Sequence, residues 1–132
     1  MKKEHDIQTL AVKFLRAQFG DDFIIFAIPN GGQRHPAHAK RLKDEGVLRG
    51  VPDLCIPIPC ADYSALYIEV KSGNNKLSPA QAALHKLLKS KGNQVLVCYS
   101  TKEIILGVYD YFNIVDNRAR QEIDTLMEIK EN

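Results

Sequence analysis

The sequence has few cysteines, and none of them has the spacing of a structural zinc site. Cys55, Cys60 and Cys98 make an odd set, and no two of them show the Cys-x-x-Cys spacing that zinc-binding domains use. Cys55 and Cys98 lie in apolar runs typical of strands, where a reduced thiol packs as a small apolar side chain. We therefore expect buried free thiols and a reducing, cytosolic compartment.

Long apolar segments and several catalytic motifs are also missing. Residues 1–6 are polar and do not resemble a secretory signal. The longest apolar run, residues 23–29, is too short to span a bilayer. The sequence contains no G-x-x-x-x-G-K phosphate loop, and the spacings suggest no Ser/His/Asp or Cys/His nucleophile. These absences predict a soluble cytoplasmic protein that neither enters a membrane nor uses those chemistries.

The overall charge is nearly balanced, with 18 Lys and Arg against 16 Asp and Glu, a net charge of +2. Such a balance neither requires nor opposes nucleic-acid binding, so any binding face must come from local clustering. A length of 132 residues with 45% hydrophobic residues predicts one domain with its own core. We expect a core at about residues 4–99 and a helical extension at about 100–132.

Hydrophobic periodicity predicts an α/β domain. Apolar residues recur at helical spacing near the N-terminus, whereas the later apolar runs are short and rich in β-branched residues. The strands at 53–59 and 65–71 are close in sequence, so an antiparallel hairpin is expected in a mixed β-sheet flanked by helices. The predicted strands cover residues 23–28, 53–59, 65–71 and 94–99, and the predicted helices cover 4–18, 37–45, 79–91, 101–112 and about 117–130.

Three charged side chains fall where this hairpin brings them together. Glu69 and Lys71 alternate with apolar residues on one face of a strand, and Asp53 begins the neighbouring strand. Two close carboxylates repel each other unless something neutralises them. A hard divalent cation such as Mg²⁺ does so through oxygen ligands, and it also activates water and phosphate. With the Lys71 ammonium as a stabilising charge, these residues predict a centre that cleaves phosphodiesters.

Each of these residues also has an ordinary structural interpretation. A Glu69–Lys71 pair suits a solvated strand edge, and an Asp after Pro often forms a turn or a cap. The functional interpretation gains weight because all three residues precede or lie within apolar runs, where charges need a reason.

The surrounding residues resemble the PD-(D/E)XK nuclease motif, with Gly50-Val51-Pro52-Asp53 followed by Ile68-Glu69-Val70-Lys71. Leu77-Ser78-Pro79-Ala80-Gln81 and the upstream Pro29-Asn30-Gly31-Gly32 resemble the VRR-NUC branch more specifically. The likeness spans about residues 4–99. It implies a restriction-endonuclease-like fold and Mg²⁺- or Mn²⁺-dependent hydrolysis of DNA.

The resemblance also implies roles for particular residues. Glu4 matches an acid on the first helix near the metal, although a Glu in a first helical turn also suits the helix dipole. Gln81 matches a supporting glutamine, although it also completes a capping box with Ser78, and the two roles are compatible. The implied metal ligands are Asp53, Glu69, the Val70 carbonyl and Glu4, and the implied catalytic residues are Asp53, Glu69, Lys71 and Gln81.

Candidate DNA contacts lie on both sides of the motif, since neutralising phosphates requires clustered cations. Small stand-alone members of the family imply a homodimer that cuts branched DNA as Holliday-junction resolvases do, in a bacterial or virus-infected host cell. A nuclease that processes flaps or single strands, and a non-catalytic DNA-binding module of the same fold, stay open. The candidate contacts are Asn30, Arg34, Lys43, Arg49 and Lys76.

Overall fold

A computed structural model of the chain describes residues 3–29, 35–114 and 117–131. The order of helices and strands predicted from the sequence is confirmed. In chain order the elements are α1 (Glu4–Phe19), β1 (Phe26–Ala27), α2 (Pro36–Asp44), β2 (Leu54–Ile56), β3 (Leu66–Val70), α3 (Pro79–Ser90), β4 (Gln94–Cys98), α4 (Thr101–Tyr111) and α5 (Asn117–Glu131).

The strands form a mixed sheet in the order β1-β2-β3-β4. β2 and β3 are antiparallel, with Leu54 opposite Ile68, so the predicted hairpin is present. β3 and β4 are parallel, with Val70 opposite Cys98. Helix α3 connects these two strands, because parallel neighbours need a crossover. The fold class expected from the sequence is therefore confirmed.

The main core lies on one face of this sheet. Leu66, Ile68 and Val70 of β3 are buried against apolar side chains of α1 and α4. Since successive strand residues point to opposite faces, Tyr67 and Glu69 face the other layer. That layer contains α3, whose only buried side chain, among those described, is His85. Strand β3 is thus covered on both faces, and this coverage buries the carboxyl group of Glu69.

The prediction of a buried strand at residues 23–28 is wrong in its extent. Only Phe26 and Ala27 pair with β2, and both are exposed. Phe23 and Ile25 reach the core, whereas Ile24 between them is 52% exposed. Residues 23–25 alternate because only one face of this segment packs on the core, and β1 itself is an edge strand with a single neighbour.

β2 is also shorter than the predicted 53–59 and ends at Ile56. Pro57 follows it and has no backbone N–H to donate to a neighbouring strand. Asp53 consequently precedes the strand instead of starting it.

The cysteines match the expectation from the sequence. Cys55, Cys60 and Cys98 are free thiols, and Cys55 and Cys98 are buried. Burial raises the pKa of the Cys98 thiol to about 12, so it stays protonated and packs as an apolar group. In the part of the chain that the structure covers, no helix has both the length and the apolar character needed to cross a membrane.

Gly50 ties the segment before Asp53 to the first turn of α3. Its φ of 88° lies in the left-handed region, and a Cβ at this position would lie 2.6 Å from the Ala80 carbonyl oxygen. Only glycine allows both the conformation and the approach. The contact joins the two sequence stretches that carry the family resemblance, so the position of Asp53 relative to α3 depends on it.

Gly50→Ala should destabilise the protein more than Gly20→Ala. Both glycines have similar positive φ values, 88° and 78°, but a Cβ at Gly20 would meet nothing within 4 Å. The ψ of Gly20 is −165°, a conformation that is essentially restricted to glycine, so Gly20→Ala should cost about 1–3 kcal/mol of backbone strain. Gly50→Ala should cost about 1–3 kcal/mol more, as typical of overpacking. Equal shifts of the two variants in chemical denaturation would contradict the packing argument.

Candidate active site

Asp53 lies immediately before β2 and is fixed from both sides. Its side-chain Oδ2 accepts a hydrogen bond from the backbone N–H of Val70, at 2.7 Å. Its own carbonyl accepts one from the backbone N–H of Ile28, at 2.8 Å. The carboxylate is therefore held against β3, beside Glu69, as the hairpin predicted.

Glu69 is 3% exposed although it carries a carboxyl group. Burial raises its pKa most, followed by a hydrogen bond and charge repulsion from Asp53, while Lys71 lowers it by less; the result is about 9. In the metal-free protein at neutral pH, Glu69 therefore keeps its proton. The proton of Glu69 accompanies a hydrogen bond between the two carboxyl groups, which reduces their mutual repulsion.

His85 of α3 is a further member of this site that was not anticipated from the sequence. Its Nε2 lies 3.2 Å from Glu69 Oε1, and both side chains are buried. Burial lowers the pKa of His85 most, followed by the nearby charges of Lys89 and Lys71. A neutral imidazole thus contacts the carboxyl group. The available signal was the four-residue spacing from Gln81, which puts both side chains on one helix face.

Lys71 and Gln81 are directly connected. Lys71 Nζ donates to Gln81 Oε1 at 2.9 Å. The same oxygen accepts from the backbone N–H of Ser78 at 2.9 Å, and Ser78 Oγ accepts from the Gln81 backbone N–H at 3.1 Å. Gln81 therefore completes a capping box and also contacts the amine of Lys71 at the start of α3. Its supporting role in catalysis stays a prediction.

Glu4 begins α1 and lies near the site without completing it. Its Oε1 accepts a hydrogen bond from Asn75 Nδ2 at 3.4 Å, and its charge is the smallest named contribution to the raised pKa of Glu69. Glu4 is thus close enough to the carboxyl pair to interact with it electrostatically. Its role as a metal ligand stays a prediction.

The candidate DNA contacts fall into two groups in the structure. Lys43 and Arg49 line one cleft together with Gln81. Lys76 is exposed in the segment between β3 and α3, which is anchored by a 2.9 Å hydrogen bond from Tyr99 Oη to the Asn75 carbonyl. Asn30 and Arg34 lie outside the described residues.

The donor set fits a hard divalent cation of the Mg²⁺ type. No three His, Cys, Asp or Glu side chains within the described ranges come together as a ready-made cage. Mg²⁺ does not need one, because it is usually held by one or two carboxylates together with water and substrate phosphate. The adjoining Asp53 and Glu69 carboxyls provide this number of ligands, and a cation would take the place of the proton between them.

Comparisons with known proteins agree with this fold. The family model for the VRR-NUC domain matches residues 4–102. A solved structure described as a VRR_NUC domain protein is 27% identical, with a TM-score of 0.74 over 88% of this chain and 93% of that one. A second, described as a VRR_NUC domain, shares the fold at 22% identity, with a TM-score of 0.56 over 84% and 99% of the two chains. No curated protein matches.

The mixed sheet with flanking helices, together with the family match, gives the chain a nuclease-type α/β fold. Since the family model covers most of the sequence, the chain belongs to the VRR-NUC family.

Glu69→Gln should flatten the pH dependence of stability in the metal-free protein. The folded chain holds a proton with a pKa of about 9, whereas the ordinary value is 4.5. The stability that this proton contributes is therefore complete below about pH 4.5 and is lost as the pH rises towards about 9. An amide cannot ionise, so the unfolding free energy of the variant should fall less across this window, measured in chelator by urea denaturation.

Glu45→Gln is the matched control, because Glu45 is exposed at the end of α2. It should keep the wild-type slope. A Glu69→Gln profile parallel to that of the wild type would show that the carboxyl pair does not share a proton.

Proposed function

We propose that this chain is a Mg²⁺- or Mn²⁺-dependent deoxyribonuclease that hydrolyses phosphodiester bonds within DNA. The observation that carries the proposal is the buried Glu69 carboxyl group paired with the half-buried Asp53, with the Lys71 amine beside them. Buried carboxyl groups with strongly shifted pKa values cluster at functional sites. Membership in the VRR-NUC family supports the same reading, since its domain has a nuclease-type fold.

Asp53 and Glu69 would hold the cation, with the Val70 carbonyl as a further oxygen ligand. When bound, such an ion polarises a phosphoryl oxygen and lowers the pKa of a bound water. The protein orients both carboxyls in advance: the Val70 N–H holds Asp53, and the His85 imidazole contacts Glu69. Contacts of this kind fix metal ligands in a productive direction.

Lys71 would supply the positive charge that meets the reacting phosphate. Its ammonium is a compact point charge, suited to stabilising negative charge as it develops on phosphorus. Gln81 accepts from this ammonium at 2.9 Å and is itself held by the capping box of α3. The amine is thus positioned by a rigid helix end, which is a requirement for efficient stabilisation of a transition state.

DNA would be held through its phosphates by Lys43, Arg49 and Lys76. Such contacts fix the position of the duplex but do not read its sequence, so we propose recognition of DNA structure. The finer version is a homodimer whose two sites cut two strands of a branched substrate such as a Holliday junction. A single site acting on flaps or single strands is the alternative. The complete set of Asp53, Glu69 and Lys71 argues against a non-catalytic module.

Lys71→Met should reduce DNA cleavage by at least about 100-fold, the loss typical of removing one group that stabilises developing charge. Asp53→Asn should do the same by removing a carboxylate from the metal site. Cleavage is measured with Mg²⁺ or Mn²⁺ on linear, flapped and four-way DNA. Lys13→Met changes an exposed lysine of α1 and should retain wild-type activity.

A wild-type protein that cuts none of these substrates with either metal would contradict the catalytic proposal. Cleavage by Lys71→Met as fast as by Lys13→Met would contradict the role assigned to Lys71. Measuring the size of the protein in solution separates the two versions, because a monomer that cuts only flaps excludes the junction-resolving dimer and leaves the nuclease.

A further inference from the structure

A cleft of about 820 Å³ lies between α2, the segment that leads to β2, and the start of α3. Gln81 lines this cleft and also accepts the hydrogen bond from Lys71 Nζ. The cleft therefore adjoins the proposed catalytic lysine. Its volume falls within the range of about 300–1,000 Å³ typical of sites for small organic ligands.

The lining of the cleft combines apolar walls with positive charge. Lys43 and Arg49 are its charged residues, and no acidic side chain among the described residues lines it. Leu48 is 55% exposed although it is large and apolar. The apolar wall consists of Leu42, Val47, Leu48 and Val51.

This combination is more than a duplex backbone requires. A continuous duplex keeps its base faces stacked inside and presents phosphates, which need cations, together with sugars and base edges. The apolar walls therefore meet no base face in that arrangement. An unpaired nucleotide offers both an apolar base face and an attached phosphate, so its chemistry matches both parts of the cleft.

We propose that the cleft binds an unpaired nucleotide of the DNA strand next to the cleaved phosphate. The base packs against Leu48 and its apolar neighbours, while the adjoining phosphates lie at Lys43 and Arg49. The inference rests on the proposed nuclease function and names its substrate class: DNA with unpaired nucleotides beside the cut, as in flaps, frayed ends and branch points.

Leu48→Ser should weaken binding of flapped DNA about fivefold, since it removes part of one apolar contact. The assay is fluorescence anisotropy with the full chain at fixed salt in chelator, so that metal-dependent cleavage does not interfere. The comparison substrate is the same flapped duplex with abasic residues in the flap, which keeps every phosphate and removes the bases. Leu48→Ser should leave binding of the abasic substrate unchanged.

Ile24→Ser is the matched control, because Ile24 is 52% exposed and does not line the cleft. It should leave the affinity for both substrates unchanged. Lys43→Ala should weaken binding of both, since both retain their phosphates. Thermal denaturation of each variant checks that folding is intact.

Two results would overturn the proposal: wild-type protein binding the abasic flap as tightly as the normal flap, or Leu48→Ser weakening both to the same extent. Each would mean that the cleft contacts phosphate alone. Neither result concerns cleavage. A failure of the nuclease proposal would appear separately: the wild-type protein would cut no substrate but would still bind the normal flap more tightly than the abasic flap.

Discussion

The hydrogen bond from the Val70 backbone N–H to Asp53 Oδ2 fixes the geometry on which the whole site depends. This bond holds the Asp53 carboxylate beside the buried Glu69, which is the residue before Val70 in β3. Two acids this close are stable only if a proton or a cation lies between them. The fold therefore requires a proton or a cation between these two carboxyl groups, and the other residues of the site lie around this position.

The packing around Asp53 and Glu69 prevents their carboxyl groups from moving apart. β3 is buried by α1 and α4 on one face, and α3 covers the other face at Glu69. Gly50 packs the segment before Asp53 onto the first turn of α3, and the capping box of that turn positions Gln81 and through it Lys71. The acid pair and the amine are thus held by β3, α3 and the segment before β2, which the Val70–Asp53 hydrogen bond and the packing of Gly50 join together.

Local sequence pattern was sufficient for the parts of the site that depend on strand periodicity. Alternation along residues 65–71 put Glu69 and Lys71 on one face, and the antiparallel pairing of β2 with β3 brought Asp53 to them. The capping box of Gln81 followed from its three-residue spacing from Ser78, whereas its place in the site was implied by the family resemblance.

Features that depend on tertiary packing were not predictable in this way. The apolar run at residues 23–28 gave no sign that β1 would be a two-residue edge strand, because exposure depends on having a single neighbour. His85 was missed because its burial requires α3 to cover Glu69. The cleft that contains Lys43, Arg49 and Gln81 joins residues distant in sequence, and only the folded arrangement of α2, residues 46–51 and the start of α3 brings them together.

The most direct test of the central claim is calorimetric titration of the protein with Mn²⁺, comparing the wild type with an Asp53→Asn, Glu69→Gln double variant. Asp62→Asn, at an exposed position, is the control. We expect saturable binding by the wild type and the control near neutral pH, accompanied by proton release as the ion displaces the proton of Glu69. The double variant should bind no ion at this site. Equal binding by wild type and double variant, or none by the wild type, would contradict it.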